Sequence, residues 1–149
     1  MKKSKRIVKE FINFLYREYD VPKIPIHVHW YAKSIVVGDH PCFGVCITYD
    51  NEPEKNEIHA VAGTKYGTGS ALRIISHEFV HYLQYLNGKF EKENTEEVED
   101  IAEENGQALV CKFIQNHKKT GGIVVDGVIK AWEKYGCADG ERKDGEHDV

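Results

Sequence analysis

The chain has 149 residues, of which 41% are hydrophobic and 30% charged, and its formal net charge is −4. Such a length is typical of one domain with a single core, and the composition is that of a folded chain rather than a disordered one. The negative charge predicts no binding to nucleic acid or to an anionic membrane surface. No apolar run approaches the ~18 residues of a membrane span.

The start of the chain is basic, but residues 7–20 mix apolar and charged side chains and contain no secretory h-region. We therefore expect a cytoplasmic location. In a reducing compartment the cysteines are expected to be free thiols that pack like small apolar residues. These are Cys42, Cys46, Cys111 and Cys137.

An amphipathic helix is predicted over residues 4–19, where apolar side chains recur at helical spacing until two Xaa-Pro pairs end it. Residues 26–31 alternate like a strand, which places His27 and His29 on one face. Two histidines on a strand raise the question of a metal site. Because no carboxylate or cysteine adjoins them in the sequence, we favour a solvated strand face.

Residues 43–49 and 57–62 flank a polar stretch that contains Pro53, which predicts an antiparallel hairpin. If residues 57–62 form the edge of the sheet, they could pair with an extended peptide. The glycine-rich residues 63–69 that follow are predicted to be a flexible loop beside a substrate cleft.

His77, Glu78 and His81 form a His-Glu-x-x-His pattern on a helix predicted over residues 71–87, with Gly88 as its C-terminal stop. Imidazoles four residues apart lie about 40° apart around a helix, so they can share a metal ion. A shuffled chain of this composition would contain the pattern with a probability of about 0.05. The apolar residues of this helix cluster on the opposite side, so the histidine face is either solvated or covered by a later element.

A second long helix is predicted over about residues 95–117, with an acidic first half. Glu99 lies about 70° from the centre of its apolar stripe, and Glu103 lies about 110° away. Ala102 and Gly106 are small, so another helix could approach closely beside Glu99. We take Glu99 as the third metal ligand, with Glu103 as the main alternative.

This combination of His77-Glu-x-x-His81 with a later Glu99-x-x-Ala-x-x-x-Gly resembles the gluzincin branch of the zincin metallopeptidases. It is most similar to the small intracellular ImmA/IrrE-like type, over approximately residues 43–113. The resemblance implies an α+β, minimal zincin-like domain: an N-terminal helix, a small, mostly antiparallel sheet, an active-site helix and a following Glu-bearing helix.

The resemblance also implies a function, the hydrolysis of peptide bonds in a peptide or protein substrate. Zn²⁺ would be held by His77, His81 and Glu99, with a coordination position left for water. Glu78 would act as the general base toward the zinc-activated water. One alternative is a catalytically silent zincin-fold module that binds peptides or regulates a partner. Another is an accidental motif in an α+β interaction domain.

The tetrahedral oxyanion needs a donor besides zinc, and the sequence offers Tyr66, Tyr85, His59 and His117 without a choice among them. We predict a single domain over residues 1–136, in which residues 123–135 form a short helix or a strand and helix. Residues 137–149 are predicted to be a disordered acidic tail. The oligomeric state does not follow from the sequence.

Overall fold

The computed structural model describes residues 2–62, 67–88 and 96–120. Within these residues the fold is α+β, as predicted, with three helices and two small sheets. The helices are α1 (Lys2–Glu18), α2 (Gly67–Leu86) and α3 (Glu96–Thr120), and the strands are β1 (Ile26–His29), β2 (Ile35–Val37), β3 (His40–Cys42), β4 (Gly44–Ile47) and β5 (Glu57–Val61).

The predicted first helix is confirmed as α1, and its apolar stripe is buried against the other two helices. Phe11 and Phe14 each pack within 6 Å, centroid to centroid, of the ring of Phe113 in α3. Near the end of α1, the hydroxyl of Tyr16 accepts a hydrogen bond from the backbone nitrogen of Ile24 and donates one to the carbonyl of Ile24. This pair of hydrogen bonds secures the segment that leads into β1.

The larger sheet has the strand order β1-β5-β4. Strand β4 pairs with β5 in antiparallel fashion, which confirms the predicted hairpin, while β1 pairs with β5 in parallel. Strands β2 and β3 form a separate antiparallel pair. The condition that residues 57–62 form an edge of the sheet is not met, because β1 covers the second side of β5. Among the described residues, β4 is the edge strand beside β5.

One face of this sheet packs against α2. Ile58 and Ala60 of β5 are fully buried there, together with Leu72 and Ile75 of α2. Gly88 has a positive φ of 74° directly after the helix, as expected for a C-terminal glycine stop. Helix α2 begins at Gly67, so the last part of the predicted glycine-rich loop is helical. Glycine costs a helix about 1 kcal/mol, and the tertiary packing that follows overrides this preference.

Helix α3 crosses α2 at the small residues that the sequence marked. Ala102 and Gly106 are buried, and a Cβ on Gly106 would lie 3.0 Å from Oγ of Ser76 and 3.1 Å from the backbone nitrogen of His77. The close approach predicted for the second long helix is therefore confirmed. It brings the first half of α3 over the histidine face of α2.

The free-thiol expectation is confirmed for Cys42 and Cys46 but wrong for Cys111, which is disulfide-bonded. None of the helices in the described part of the chain is both long and apolar enough to cross a membrane. Several predictions fall outside the described residues: the loop at 63–66, the element at 123–135, the tail at 137–149 and the domain boundary at 136.

Candidate metal centre

Helix α3 covers the histidine face of α2. His81 is only 4% exposed, and the side chain of His77 is 19% exposed. Arg73 and Gln84, which share this face, contact α3 through Glu103 and the carbonyl of Val98. The solvated alternative for the two histidines is therefore wrong, because α3 contacts this face of α2 and covers both imidazoles.

The two imidazoles and the carboxylate of Glu99 converge at one point. Nε2 of His77 lies 3.1 Å from Oε1 of Glu99, and Nε2 of His81 lies 2.9 Å from Oε2 of the same carboxylate. The imidazole rings are nearly perpendicular, with centroids 4.7 Å apart. One ligand atom from each of the three residues lies within 4.8 Å of the others, as a shared metal ion requires.

The other nitrogen of each ring is held by a hydrogen-bond acceptor. Nδ1 of His77 lies 3.1 Å from Oε1 of Glu103, and Nδ1 of His81 lies 2.8 Å from Oε1 of Gln84. The amide nitrogen of Gln84 donates to the carbonyl of Val98, so its oxygen is the atom that faces His81. Because these oxygens accept, each Nδ1 can donate its proton to them, and a ring that is neutral in this tautomer has its lone pair on Nε2. This is the tautomer that a metal ligand needs.

Glu103 occupies the outer side of His77 rather than the point of convergence. Its carboxylate also accepts hydrogen bonds from Arg73 and from Nε2 of Gln107. Burial alone would raise the pKa of Glu103, but the hydrogen bonds from His77 and Arg73 and the charge of Arg73 hold it far below its usual range. Glu103 thus stays ionised and orients His77, while Glu99 lies where a third ligand would be.

Burial would lower the pKa of His77, yet the hydrogen bond to Glu103 and the charges of Glu78, Glu103 and Glu99 outweigh it and raise the pKa. In His81 burial prevails, and the pKa is lowered despite the opposing hydrogen bond to Gln84. The two imidazoles therefore differ in proton affinity although they share the Glu99 carboxylate.

Glu78 lies on the side of α2 that faces the edge strand β4. It is 9% exposed, and a Cβ on Gly44 would lie 3.1 Å from its Oε2. Burial raises the pKa of Glu78 to about 7, with Glu99 adding to the rise and the charge of His77 and a hydrogen bond from the backbone of Cys46 opposing it. A carboxyl with a pKa near neutrality can both accept and return a proton at physiological pH.

These residues fit a zinc ion by their chemistry. Two imidazole nitrogens and one carboxylate are a donor set of open, catalytic zinc sites, in which a further position is left for water. Carboxylate and amide partners on the outer ring nitrogens are the usual support for such ligands. Calcium and magnesium prefer all-oxygen sites, which this cluster does not offer.

The candidates for oxyanion stabilisation are reduced by the structure. His59 lies on the sheet face turned away from α2, and Tyr66 falls outside the described residues. His117 is on the order of 27 Å along α3 from Glu99 at 1.5 Å per residue, and it pairs with Glu10. Tyr85 lies one turn after His81 on α2 and is the candidate that remains among the described residues.

Sequence reasoning missed the roles of Gln84 and Arg73, and it considered Glu103 only as a ligand. The available signal was spacing: Gln84 follows His81 by three residues, which places the two side chains together on a helix. Comparisons of the chain with protein-family models, curated proteins and solved structures found no match. Function must therefore be argued from the site.

Proposed function

We propose that this protein is a zinc-dependent metallopeptidase of the gluzincin type, similar to the small ImmA/IrrE-like zincins. The observation that carries the proposal is the convergence of both Nε2 atoms on the Glu99 carboxylate, at 3.1 and 2.9 Å. An accidental His-Glu-x-x-His pattern has no reason to place a third donor there or to hold both outer nitrogens with acceptors.

His77, His81 and Glu99 would hold the zinc ion. When bound, zinc would act as a Lewis acid that activates a water molecule and stabilises negative charge on a peptide carbonyl. Glu78 would accept the proton of the attacking water and return it to the departing amine. The burial of Glu78 keeps bulk water from competing for that proton.

Strand β4 offers an edge for an extended peptide. Among the described residues, β4 pairs with β5 along one side and has no strand along its other side. Its Gly44 lies directly against Glu78. A peptide that added a strand to this edge would run past the general base. The absence of a side chain at Gly44 supports this arrangement, because any Cβ there would collide with Ile74 and crowd Glu78.

We retain a cytoplasmic location as part of the proposal, supported by the resemblance to the small intracellular ImmA/IrrE-like zincins. The disulfide at Cys111 argues against it, since disulfides are rare in reducing compartments. Fractionation of cells that produce the full chain tests this location. Recovery of the protein with a periplasmic or secreted marker would contradict the proposal.

The test of the enzymatic proposal is Glu78→Gln, with the exposed Glu97→Gln as the matched control. Zinc content and cleavage of a broad peptide library are measured for both. We expect Glu78→Gln to retain zinc but to lose about 10²–10⁴-fold in cleavage rate, the usual contribution of a general base. Glu97→Gln should match the wild type.

Other outcomes would contradict the proposal in distinguishable ways. If the wild-type protein binds one zinc at this site but cleaves no peptide of the library, the catalytically silent peptide-binding module is the better description. If the wild type and His77→Ala bind the same amount of zinc, the motif is accidental. If Glu78→Gln cleaves as fast as the wild type, the general base is misassigned.

A further inference from the structure

A second cluster of histidines lies on the face of the larger sheet that is turned away from α2. In the parallel pairing of β1 with β5, His27 is opposite His59. Residues that alternate with them, Ile58 and Ala60, are buried on the helix side. The outer face thus collects His27, His29, Glu57 and His59, and the sheet itself separates them from the His77 site.

The carboxylate that was absent from the sequence neighbourhood of His27 is supplied by β5. Nε2 of His59 lies 2.5 Å from Oε1 of Glu57, and Nε2 of His27 lies 3.9 Å from Oε2 of the same carboxylate. One ligand atom from each of the three residues lies within 4.8 Å of the others. Two ligand atoms on one tetrahedral zinc ion are about 3.3 Å apart, so only small side-chain rotations are needed to bring these donors together.

His29 contacts the ring nitrogen of His59 that does not face Glu57. Its Nε2 lies 2.7 Å from Nδ1 of His59, and the two rings are stacked with centroids 5.0 Å apart. A metal ion at Nε2 of His59 would replace the proton shared with Glu57. Nδ1 of His59 would then donate its hydrogen to His29, which is the outer-nitrogen support that ligating histidines usually have.

The cluster is accessible. The side chains of His27, Glu57 and His59 are 49%, 34% and 22% exposed, so an ion can enter from solvent and keep water as further ligands. Imidazole and carboxylate donors suit divalent transition metals such as zinc, nickel and copper rather than calcium or magnesium. The competing explanation is a hydrogen-bonded histidine network on a solvated strand face.

We propose that His27, Glu57 and His59 form a second binding site for a divalent transition-metal ion, with zinc as the reference ion. This site is independent of the proposed peptidase centre, since it shares no side chain with it. The full chain should therefore bind two equivalents of zinc at two separable sites.

The experiment titrates the metal-free full chain with Zn²⁺ against a chromophoric chelator. Wild type is compared with His77→Ala, with the double variant His27→Asn, His59→Asn and with the control His40→Asn, which removes an exposed histidine on β3. We expect two equivalents for wild type and His40→Asn, and one for each of the other two. His29→Gln should weaken the second site by about 10–100-fold without removing it.

The proposal is overturned if the double variant binds as much zinc as the wild type with unchanged affinity. It is also overturned if His77→Ala binds none, because the second site should not depend on the first. Should the double variant fail to fold by circular dichroism, the single His27→Asn variant replaces it, since that side chain is half exposed. Addition of Co²⁺ should also shift the ring-proton resonances of His27 and His59 in the wild type, and unshifted resonances contradict the site.

Discussion

Gly106 of α3 lies directly against the backbone of His77 in α2. A Cβ at this position would be 3.1 Å from the His77 nitrogen and 3.2 Å from the carbonyl carbon of Ser76. These neighbours are backbone atoms, which cannot rotate away as a flexible side chain can. The distance between the two helices, and so the reach of Glu99 to the histidines, depends on the absence of a side chain at Gly106.

Replacing Gly106 by valine should therefore separate α3 from α2. Overpacking of this kind costs about 1–3 kcal/mol of stability, and we expect zinc affinity at His77 and His81 to fall at least about tenfold. Chemical denaturation and zinc titration measure the two effects. The adjacent exposed Asn105→Ala is the control, and it should change neither. Unaltered zinc affinity in Gly106→Val would contradict the structural role assigned to this glycine.

Glu99 and Glu103 should respond differently to removal of their charge. Glu99→Gln removes a proposed ligand and should abolish tight zinc binding at His77 and His81, whereas Glu103→Gln removes the partner of His77 Nδ1 and should weaken binding at that site by about 10–100-fold. The exposed Glu104→Gln should bind zinc like the wild type. Equal losses of zinc affinity in the Glu99 and Glu103 variants would contradict the different roles assigned to the two carboxylates.

Gly44→Ala should disturb the contact between the edge strand and α2. Its Cβ would lie 2.6 Å from Cγ2 of Ile74 and 3.0 Å from Cγ of Glu78, so we expect a loss of about 1–3 kcal/mol. Because Ile74 supplies the closest atom, Ile74→Ala should lessen the cost of Gly44→Ala. A double-mutant cycle by chemical denaturation measures this coupling, and additive effects of the two substitutions would contradict it.

Tyr82→Phe should have two effects on stability. At neutral pH the variant loses the hydrogen bond from Tyr82 to the carbonyl of Pro22, 2.8 Å long, which costs about 1 kcal/mol. Burial raises the pKa of Tyr82 from 10.0 to about 12. The folded state thus holds this proton more tightly than the unfolded chain, and wild-type stability is lost as pH rises from 10 toward about 12.

The variant should lose less stability over that alkaline window, because it lacks the ionising hydroxyl. Denaturation curves at pH 7, 10 and 11.5 test both effects. Tyr49→Phe, at an exposed tyrosine, serves as the control and should follow the wild type at each pH. Identical alkaline losses in Tyr82→Phe and wild type would contradict the assignment.

Cys46 should resist alkylation while the chain is folded. Burial, and secondarily the charge of Glu78, raises the pKa of Cys46 to about 12, so only about one thiol in 10⁴ is ionised at pH 8. Mass spectrometry after brief iodoacetamide treatment should find Cys42 labelled before Cys46, since Cys42 is partly exposed. Denaturant should abolish the difference. Rapid native labelling of Cys46 would show that the strand opens readily.

Features that depend on local spacing were accessible from the sequence. The amphipathic faces of α1 and α2, the placement of His77 and His81 together, and the close approach at Gly106 all follow from helical periodicity. Glu99 is indicated by its angle to the apolar stripe and by the small residues beside it, and the structure does bring it to the two histidines. Each of these inferences needs only residues within a few turns of one helix.

Features that depend on distant segments could not be predicted in this way. The solvated interpretation of His27 and His29 rested on the lack of a nearby carboxylate, yet parallel pairing with β5 places Glu57 beside His27 and His59 beside His29. Likewise, residues 57–62 carry no sign that β1 pairs with β5, so their position in the sheet could not be decided from the sequence. The contacts of Arg73 and Gln84 with α3 could not be predicted either, because the rotation of α3 about its own axis is set only by packing.

The parallel pairing of β1 with β5 also bears on the order in which the chain folds. His29 and His59 are 30 residues apart, whereas β4 and β5 are joined by a short connection and α2 holds His77 and His81 within one turn. Loop closure over a longer stretch is slower, so we expect β1 to join the sheet late. The cluster of His27, Glu57 and His59 should therefore be completed only after β1 has joined, when the β4–β5 pair is already formed.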